Sequence, residues 1–279
     1  CRPQERAGLH HKNTQNARKG RGGGMTAYDK VVAARAKGRF TSLDYIDSIF
    51  TDFTEMHGDR RFGDDPAIVT GLAWLENICV TVIGIEKGKD IRERARRNFG
   101  SAHPEGYRKA LRQMKLAEKF GRPVICFVDT SGAFCGMAAE ERGQGQAIAE
   151  NLMEMMALRT PIISVLVGEG GSGGALALAV ANEVWMLENA VYSVISPEGC
   201  ASILWKDGSR VREACECLKL TAGHMLELGV IEKIIPEDDG LFENFKRELV
   251  AAIERYAGKT GEEIAQERYM RFRRMGDLK

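Results

Sequence analysis

The stretch from Val165 to Ala181, VLVGEGGSGGALALAVA, constrains the fold more than any other part of the chain. The apolar run Ile162, Ile163, Val165, Leu166 and Val167 has the composition of a buried strand. Glycines then crowd the backbone from Gly168 to Gly174, and a small-residue helix is expected from about Ala175. Gly170, Gly171, Gly173 and Gly174 strip side chains from the point where a strand hands over to a helix, which leaves bare N–H groups. The first turn of a helix carries unpaired donors and partial positive charge. Such a junction suits an anion, or an oxygen that turns anionic during a reaction.

Two other readings stand beside this one. Gly168, Gly170 and Gly173 also satisfy the G-x-G-x-x-G pattern of dinucleotide sites, with Glu188 about 20 residues beyond Gly168. That match lies mid-chain, Glu188 falls in a polar bend, and no P-loop lysine follows. The same glycines, with Ala175, Ala177, Ala179 and Ala181, would equally let a helix pack closely on its strand.

The strand, loop and helix unit recurs. Pro123–Val128 reads as a strand, Asp129–Gly136 as a loop and Met137–Leu158 as a long helix; Pro161–Val167 begins the glycine unit. A shorter version follows as Tyr192–Ile195, the turn Ser196-Pro197-Glu198-Gly199, and a helix from about Cys200, with Ser196 fit to cap it and Pro197 to fill its first position. Such repeats indicate a parallel sheet with helices along its face, and they collect the loops at the carboxyl ends of the strands. Ligand sites are therefore expected at Asp129–Gly136, Gly168–Gly174 and Ser196–Gly199. These loops offer backbone donors more than acids and bases. Glu169, the one acid in the glycine loop, and Glu140 and Glu141, at a helix start, are candidate bases set against ion-paired or dipole-stabilised roles. His57, His103 and His224 show no partner.

The flanks divide the chain into a polar, disordered tail over 1–24 with Met25 a candidate start, a helical segment over 25–58, a core over 59–240 and C-terminal helices over 241–279. Two helical patterns are expected between Thr26 and Met56, the second running from Ser42 through Leu43, Ile46, Ile49, Phe50 and Phe53. Ile68–Leu75 and Ile78–Ile85 read as strands of a hairpin turning at Glu76-Asn77. Lys87, Lys89, Arg92, Arg94, Arg96 and Arg97 form a cation cluster, either a solvated helix face or a dock for an anion. Pro104 opens a helix with Tyr107, Leu111, Met114 and Phe120 on its apolar stripe, closed by Gly121. Beyond Val211, helices are expected at Leu218–Leu228, Leu241–Tyr256 and Glu262–Arg274, with a short strand at Ile231–Ile235.

The totals exclude several classes. At 279 residues and 44% hydrophobic content the chain can bury a large core. Forty basic against 39 acidic residues give no general attraction to nucleic acid or a membrane surface. Seven scattered cysteines without a C-x-x-C pair argue against a structural zinc site, and with no secretory signal they point to reduced thiols in a cytoplasm. No uninterrupted apolar run approaches the roughly 18 residues of a membrane span.

Five stretches carry a resemblance: Arg97-Asn98-Phe99-Gly100, Pro104-Glu105-Gly106-Tyr107-Arg108-Lys109-Ala110-Leu111, Ala139-Glu140-Glu141-Arg142-Gly143-Gln144, GEGGSGGA over Gly168–Ala175, and YSVISPEGCASILWK over Tyr192–Lys206. Over Phe40 to about Glu237 the chain closely resembles the α-subunit family of bacterial acetyl-coenzyme A carboxylase carboxyltransferase. The resemblance implies an α/β, crotonase-like ββα superhelix with flanking N- and C-terminal helices. It implies carboxyl transfer from carboxybiotin on the biotin carboxyl carrier protein to acetyl-CoA, giving malonyl-CoA for fatty acid synthesis. In that family Gly173 and Gly174 would donate N–H bonds to the ureido oxygen of biotin, with Gly132 and Ala133 as backbone contacts nearby. Gly170, Gly171, Ser196, Pro197, Glu198 and Gly199 would line the same site. The thioester enolate would be held on a β subunit carrying a zinc ribbon, in an α2β2 assembly with biotin carboxylase in the larger complex. Zinc belongs to the partner, and no metal site is expected here.

The chain departs from the family at Asp129-Thr130-Ser131-Gly132-Ala133-Phe134-Cys135-Gly136, where many relatives have D-T-P-G-A-Y-P-G. Phe134 lacks a phenol hydroxyl and is a contact without a hydrogen-bonding role. Two rival functions are a self-sufficient acyl-CoA hydratase, isomerase or decarboxylase using Glu169 or Glu140, and a nucleic-acid binder using Lys87–Arg97 and the tail.

Overall fold

Thr26 caps the first helix, α1 (Ala27–Ala34), in a reciprocal capping box with Asp29, and Thr41 makes the same box with Asp44 at the head of α2 (Ser42–Ile49). The computed structural model describes residues 24–276, so the expected tail lies, apart from Gly24, outside the described residues. The second cap falls one residue before Ser42, whose hydroxyl instead donates to Ile85 O at 2.6 Å. The expected helix also ends early. Phe53 sits on an edge strand, β1 (Thr51–Glu55), because the backbone is extended from Phe50 and pairs with the next strand. The segment 25–58 thus contributes to the sheet as well as to the helices.

The hairpin follows as expected: β2 (Ile68–Leu75) and β3 (Ile78–Ile85) pair antiparallel from Ile68↔Ile85 to Leu75↔Ile78. After them come α3 (Ile91–Arg96), α4 (Pro104–Lys119), β4 (Val124–Thr130), α5 (Met137–Glu141), α6 (Gln144–Ala157), β5 (Ile162–Gly171) and α7 (Ser172–Leu176). The chain continues through β6 (Glu183–Leu187), β7 (Val191–Ser193), α8 (Pro197–Trp205), α9 (Val211–Leu218), α10 (Ala222–Glu227), β8 (Lys233–Ile235), α11 (Leu241–Glu254) and α12 (Gly261–Arg273). The sheet order is β1-β2-β3-β4-β5-β6-β8, antiparallel as far as β3 and parallel beyond it, with β7 on the far end of β5.

Five expectations change. The long helix breaks into α5 and α6 at Gly143, which has φ +82°. The run read as a glycine loop is mostly strand, since β5 continues to Gly171 and α7 starts at once. The small-residue helix expected from about Ala175 is the short α7, which ends at Leu176 before the chain re-enters the sheet as β6 at Glu183, a strand not expected from the sequence. The helix expected over Leu218–Leu228 is two, parted at Lys219, whose φ is +49°. Phe120 is exposed beyond the stripe of α4, flanked by Lys119 and Arg122.

The largest core cluster lies between the sheet and its covering helices, with Tyr45, Phe127, Trp185 and Phe245 packed ring to ring. Arg268, on α12, is fully buried and fastens the C-terminal helix from within. Its guanidinium donates to Met155 O at 2.8 Å, Leu158 O at 2.6 Å, Thr160 O at 2.7 Å and the side chain of Asn182. The carbonyls left over where α6 ends are thereby satisfied.

Candidate functional site

Strands β4 and β5 run in register from Val124↔Ile162 to Val128↔Leu166, after which a shift sets Thr130 opposite Gly170. That shift brings the segment following β4 against the glycines of β5 and α7. A Cβ on Gly168 would strike the Asp129 carboxylate, and one on Gly171 the carbonyl of Ser131. A Cβ on Gly174 would lie 2.5 Å from Ala133 N and 2.8 Å from Tyr107 Oη. These three positions are glycine because the two segments touch there. Gly173 differs, since its Cβ would meet only Ile148 Cγ2 at 3.6 Å.

An account of the backbone donors separates the candidate residues. Gly170 and Gly171 are paired with Tyr192 and Ser193 of β7. The N–H of Gly132 donates to Thr130 Oγ1 at 3.0 Å, that of Phe134 to Ala102 O at 3.0 Å, and that of Gly199 to Ser196 Oγ at 3.1 Å. Pro197 has no N–H. The N–H groups of Ala133, Gly173 and Gly174 have no acceptor among the described residues. Phe134 is held by its ring, which stacks on His103 with centroids 4.1 Å apart. Ser196 and Pro197 cap and open α8 as expected.

The acids beside these donors are committed to ion pairs. Lys87 Nζ lies 2.7 Å from Asp129 Oδ1 and 3.0 Å from Glu169 Oε2; Arg35 Nε lies 2.7 Å from Glu169 Oε1, and its Nη1 2.6 Å from Glu198 Oε1. Glu169 N also donates to Asp129 Oδ1 at 2.8 Å. Burial pushes the Glu169 carboxyl up, but Lys87 and Arg35 outweigh it and hold the pKa below the ordinary value. Burial likewise pushes the Lys87 ammonium down, and Asp129 and Glu169 reverse that to leave it raised. A carboxylate so held is a poor general base, so Glu169 is an ion-pair partner. Glu140 and Glu141 are solvent-exposed on α5. A cavity of about 220 Å³ opens beside the network, lined by Arg35, Lys87, Asp129, Ser131 and Glu169, with Phe99 at its edge.

The cation cluster therefore does not act as one face. Lys87 turns inward to the network, Lys89 pairs with Asp44, and buried Arg97 donates to Pro66 O at 2.8 Å, while Arg92 and Arg96 face solvent. Sequence reasoning missed Arg35, which joins α1 to β5 and α8, and Tyr107 as a neighbour of Gly174. Nothing in the local pattern of either residue marks such long-range contacts. Among the described residues no group of three or more His, Cys, Asp or Glu side chains is placed to hold a metal, and no helix is long and apolar enough to cross a membrane.

The fold is shared with carboxyltransferases of the crotonase type. Transcarboxylase 12S, solved with methylmalonyl-coenzyme A and methylmalonic acid bound, superposes with a TM-score of 0.67 at 19% identity, covering 80% of this chain and 42% of that one. The β subunit of Pseudomonas aeruginosa geranyl-CoA carboxylase gives a TM-score of 0.63 at 17% identity, covering 88% and 46%. This chain thus spans under half the length of either. The chain belongs to the acetyl co-enzyme A carboxylase carboxyltransferase-like family, whose model matches residues 4–276. The acetyl-coenzyme A carboxylase carboxyl transferase subunit alpha of Ruminiclostridium cellulolyticum is 64% identical over 256 residues, 90% of this chain and 98% of the relative. The protein of the same name from Streptococcus pyogenes serotype M5 is 57% identical over 256 residues, 90% of this chain and 100% of the relative.

Proposed function

We propose that this chain is the α half of a carboxyltransferase site that moves a carboxyl group from carboxybiotin, borne by a carrier protein, to acetyl-CoA. The product is malonyl-CoA, for fatty acid synthesis. The observation that carries the proposal is the contrast between free donors and committed acids. Ala133, Gly173 and Gly174 present N–H groups without acceptors, while Asp129, Glu169 and Glu198 are tied to Lys87 and Arg35. Such a surface stabilises charge growing on a carbonyl-type oxygen and has no group ready to take a proton from carbon.

The ureido oxygen of biotin fits this donor set, and carboxybiotin, when bound, would supply the carboxyl group and, once that group has left, a nitrogen basic enough to accept the methyl proton of acetyl-CoA. In this proposal Gly173 and Gly174 hold the ureido oxygen, and Gly132, Ala133 and Phe134 form the opposite wall. Gly170 and Gly171 make the floor. The turn Ser196-Pro197-Glu198-Gly199 braces the network through Arg35. The hole for the thioester enolate, most contacts to coenzyme A and a zinc ribbon belong to a β subunit, in an α2β2 cytoplasmic assembly served by the biotin carboxyl carrier protein and biotin carboxylase.

The test is malonyl-CoA formation from acetyl-CoA and carboxybiotinylated carrier protein, with this chain alone and mixed with a zinc-ribbon β subunit. Activity only in the mixture is expected. Activity of the chain alone would remove the half-site, and hydration of an enoyl-CoA by the chain alone would install the hydratase in its place.

A further inference from the structure

Tyr107 lies on the inner side of α4, fully buried, and its Oη has no hydrogen-bond partner among the described residues. The hydroxyl is set against the candidate site, because the Cβ position of Gly174 lies 2.8 Å from it and 2.5 Å from Ala133 N. It therefore stands behind the seam where the segment after β4 meets the first turn of α7. Burial pushes the phenol pKa up, with Asp65 adding to the effect, so the hydroxyl keeps its proton.

A buried hydroxyl without a partner costs stability, and phenylalanine would fill nearly the same volume without that cost. Two neighbouring orphan atoms have simpler explanations. Gln144 and Asn151 each leave a side-chain oxygen unpaired, but their amide nitrogens are anchored to Ala102 O and Ala177 O. Tyr107 makes no hydrogen bond through its hydroxyl. What the oxygen does provide is a spacer, one atom thick, between α4 and the seam.

We propose that Tyr107 is a positioning residue whose hydroxyl sets the spacing between the Ala133 segment and the Gly173–Gly174 turn, so that their free N–H groups converge on one ligand oxygen. This rests on the oxyanion role of Gly173 and Gly174. Without the oxygen, the seam loses contact atoms on one side and relaxes toward α4. Donor geometry tolerates little movement, since a shift of about 1 Å is enough to cost roughly 100-fold in rate.

The experiment is Tyr107→Phe, read three ways. In the assembled enzyme kcat should fall roughly tenfold or more while KM for acetyl-CoA stays put, because the donors act on the transition state. The melting temperature of the full chain should hold or rise, since an unpaired hydroxyl has gone. Amide exchange at Ala133 and Gly174 in the full chain should change by roughly threefold or more, because the seam has moved. Unchanged exchange at both amides overturns the spacing role whatever the activity. A normal kcat beside an active wild type shows the hydroxyl idle, and a lowered melting temperature shows it was a structural bond; either result overturns the proposal. Failure of wild type to form malonyl-CoA would remove the carboxyltransferase function separately, with the exchange measurement still deciding for Tyr107.

Discussion

Gly174→Ala and Gly173→Ala form a matched pair that the seam geometry separates. At Gly174 the added methyl would stand 2.5 Å from Ala133 N and 2.8 Å from Tyr107 Oη, and the nearer of these is backbone that cannot swing aside. The Gly132–Ala133 segment must then move by about 1 Å, and overpacking of this kind costs roughly 1–3 kcal/mol. At about 2–4 °C per kcal/mol for a chain of this size, a mid-range cost of ~2 kcal/mol lowers the melting temperature by roughly 4–8 °C. The same displacement lowers kcat by roughly 100-fold. At Gly173 the methyl meets Ile148 Cγ2 at 3.6 Å, an ordinary contact, and alanine is a better helix former than glycine by about 0.5–1 kcal/mol. Gly173→Ala should therefore melt no lower than wild type and keep the larger share of its turnover. Differential scanning fluorimetry on the chain and malonyl-CoA formation in the assembly read both effects. A Gly174→Ala variant with wild-type melting temperature would show slack in the seam and refute the close-approach account of the glycines. Gly174→Val, bulkier still, would confound folding with donor loss.

Glu169→Gln removes the half-buried negative charge paired with Lys87 and Arg35 and should cost roughly 2–3 kcal/mol at pH 7. Because the folded pKa lies below the ordinary glutamate value of 4.5, that stabilisation is present above pH 4.5 and lost as pH falls through the folded value. Urea titrations should show the gap to wild type closing on acidification, and a gap independent of pH would contradict the ion-pair account. Arg268→Met strands the carbonyls of Met155, Leu158 and Thr160 and should cost roughly 3–5 kcal/mol, read as a lower urea midpoint. Gly143→Ala should cost about 1 kcal/mol through its φ of +82°, with Gly143→Asn costing less; equal melting temperatures for all three chains would mean that the α5–α6 joint carries no strain.

Local chemistry made much of the fold legible. The hairpin needed only two alternating apolar runs and a polar turn, and α8 needed only Ser196 and Pro197. What escaped depends on distant chain. Phe53 continues a helical spacing, yet pairing with β2 pulls it into a strand. Glu183 to Leu187 carries too short a pattern to be assigned, and only pairing with β5 and β8 on both edges makes it a strand. Arg268 looks like one of several surface arginines on the last helix, and only the docking of α12 reveals the carbonyls that it satisfies.

The candidate site divides on the same line. Its glycines were visible, but a glycine serving as a donor and one making room for a neighbour have the same spelling. The choice between them is set by the shift that puts Thr130 opposite Gly170, since the missing Cβ of Gly168 faces Asp129 near the end of β4, those of Gly171 and Gly174 face the segment after it, and that of Gly173 is clear. The seam explains three of the glycines as contacts, yet contact alone does not account for donors left without acceptors in a partly buried place, where such groups cost stability. Nor does it account for Lys87, a half-buried cation held between two carboxylates. Free carboxylates there would repel an oxygen gaining negative charge. Pinned under Lys87 and Arg35, they leave the field to the N–H groups. The same pinning removes them as bases, so the strength of this half-site in holding charge is the reason it needs a proton acceptor from elsewhere.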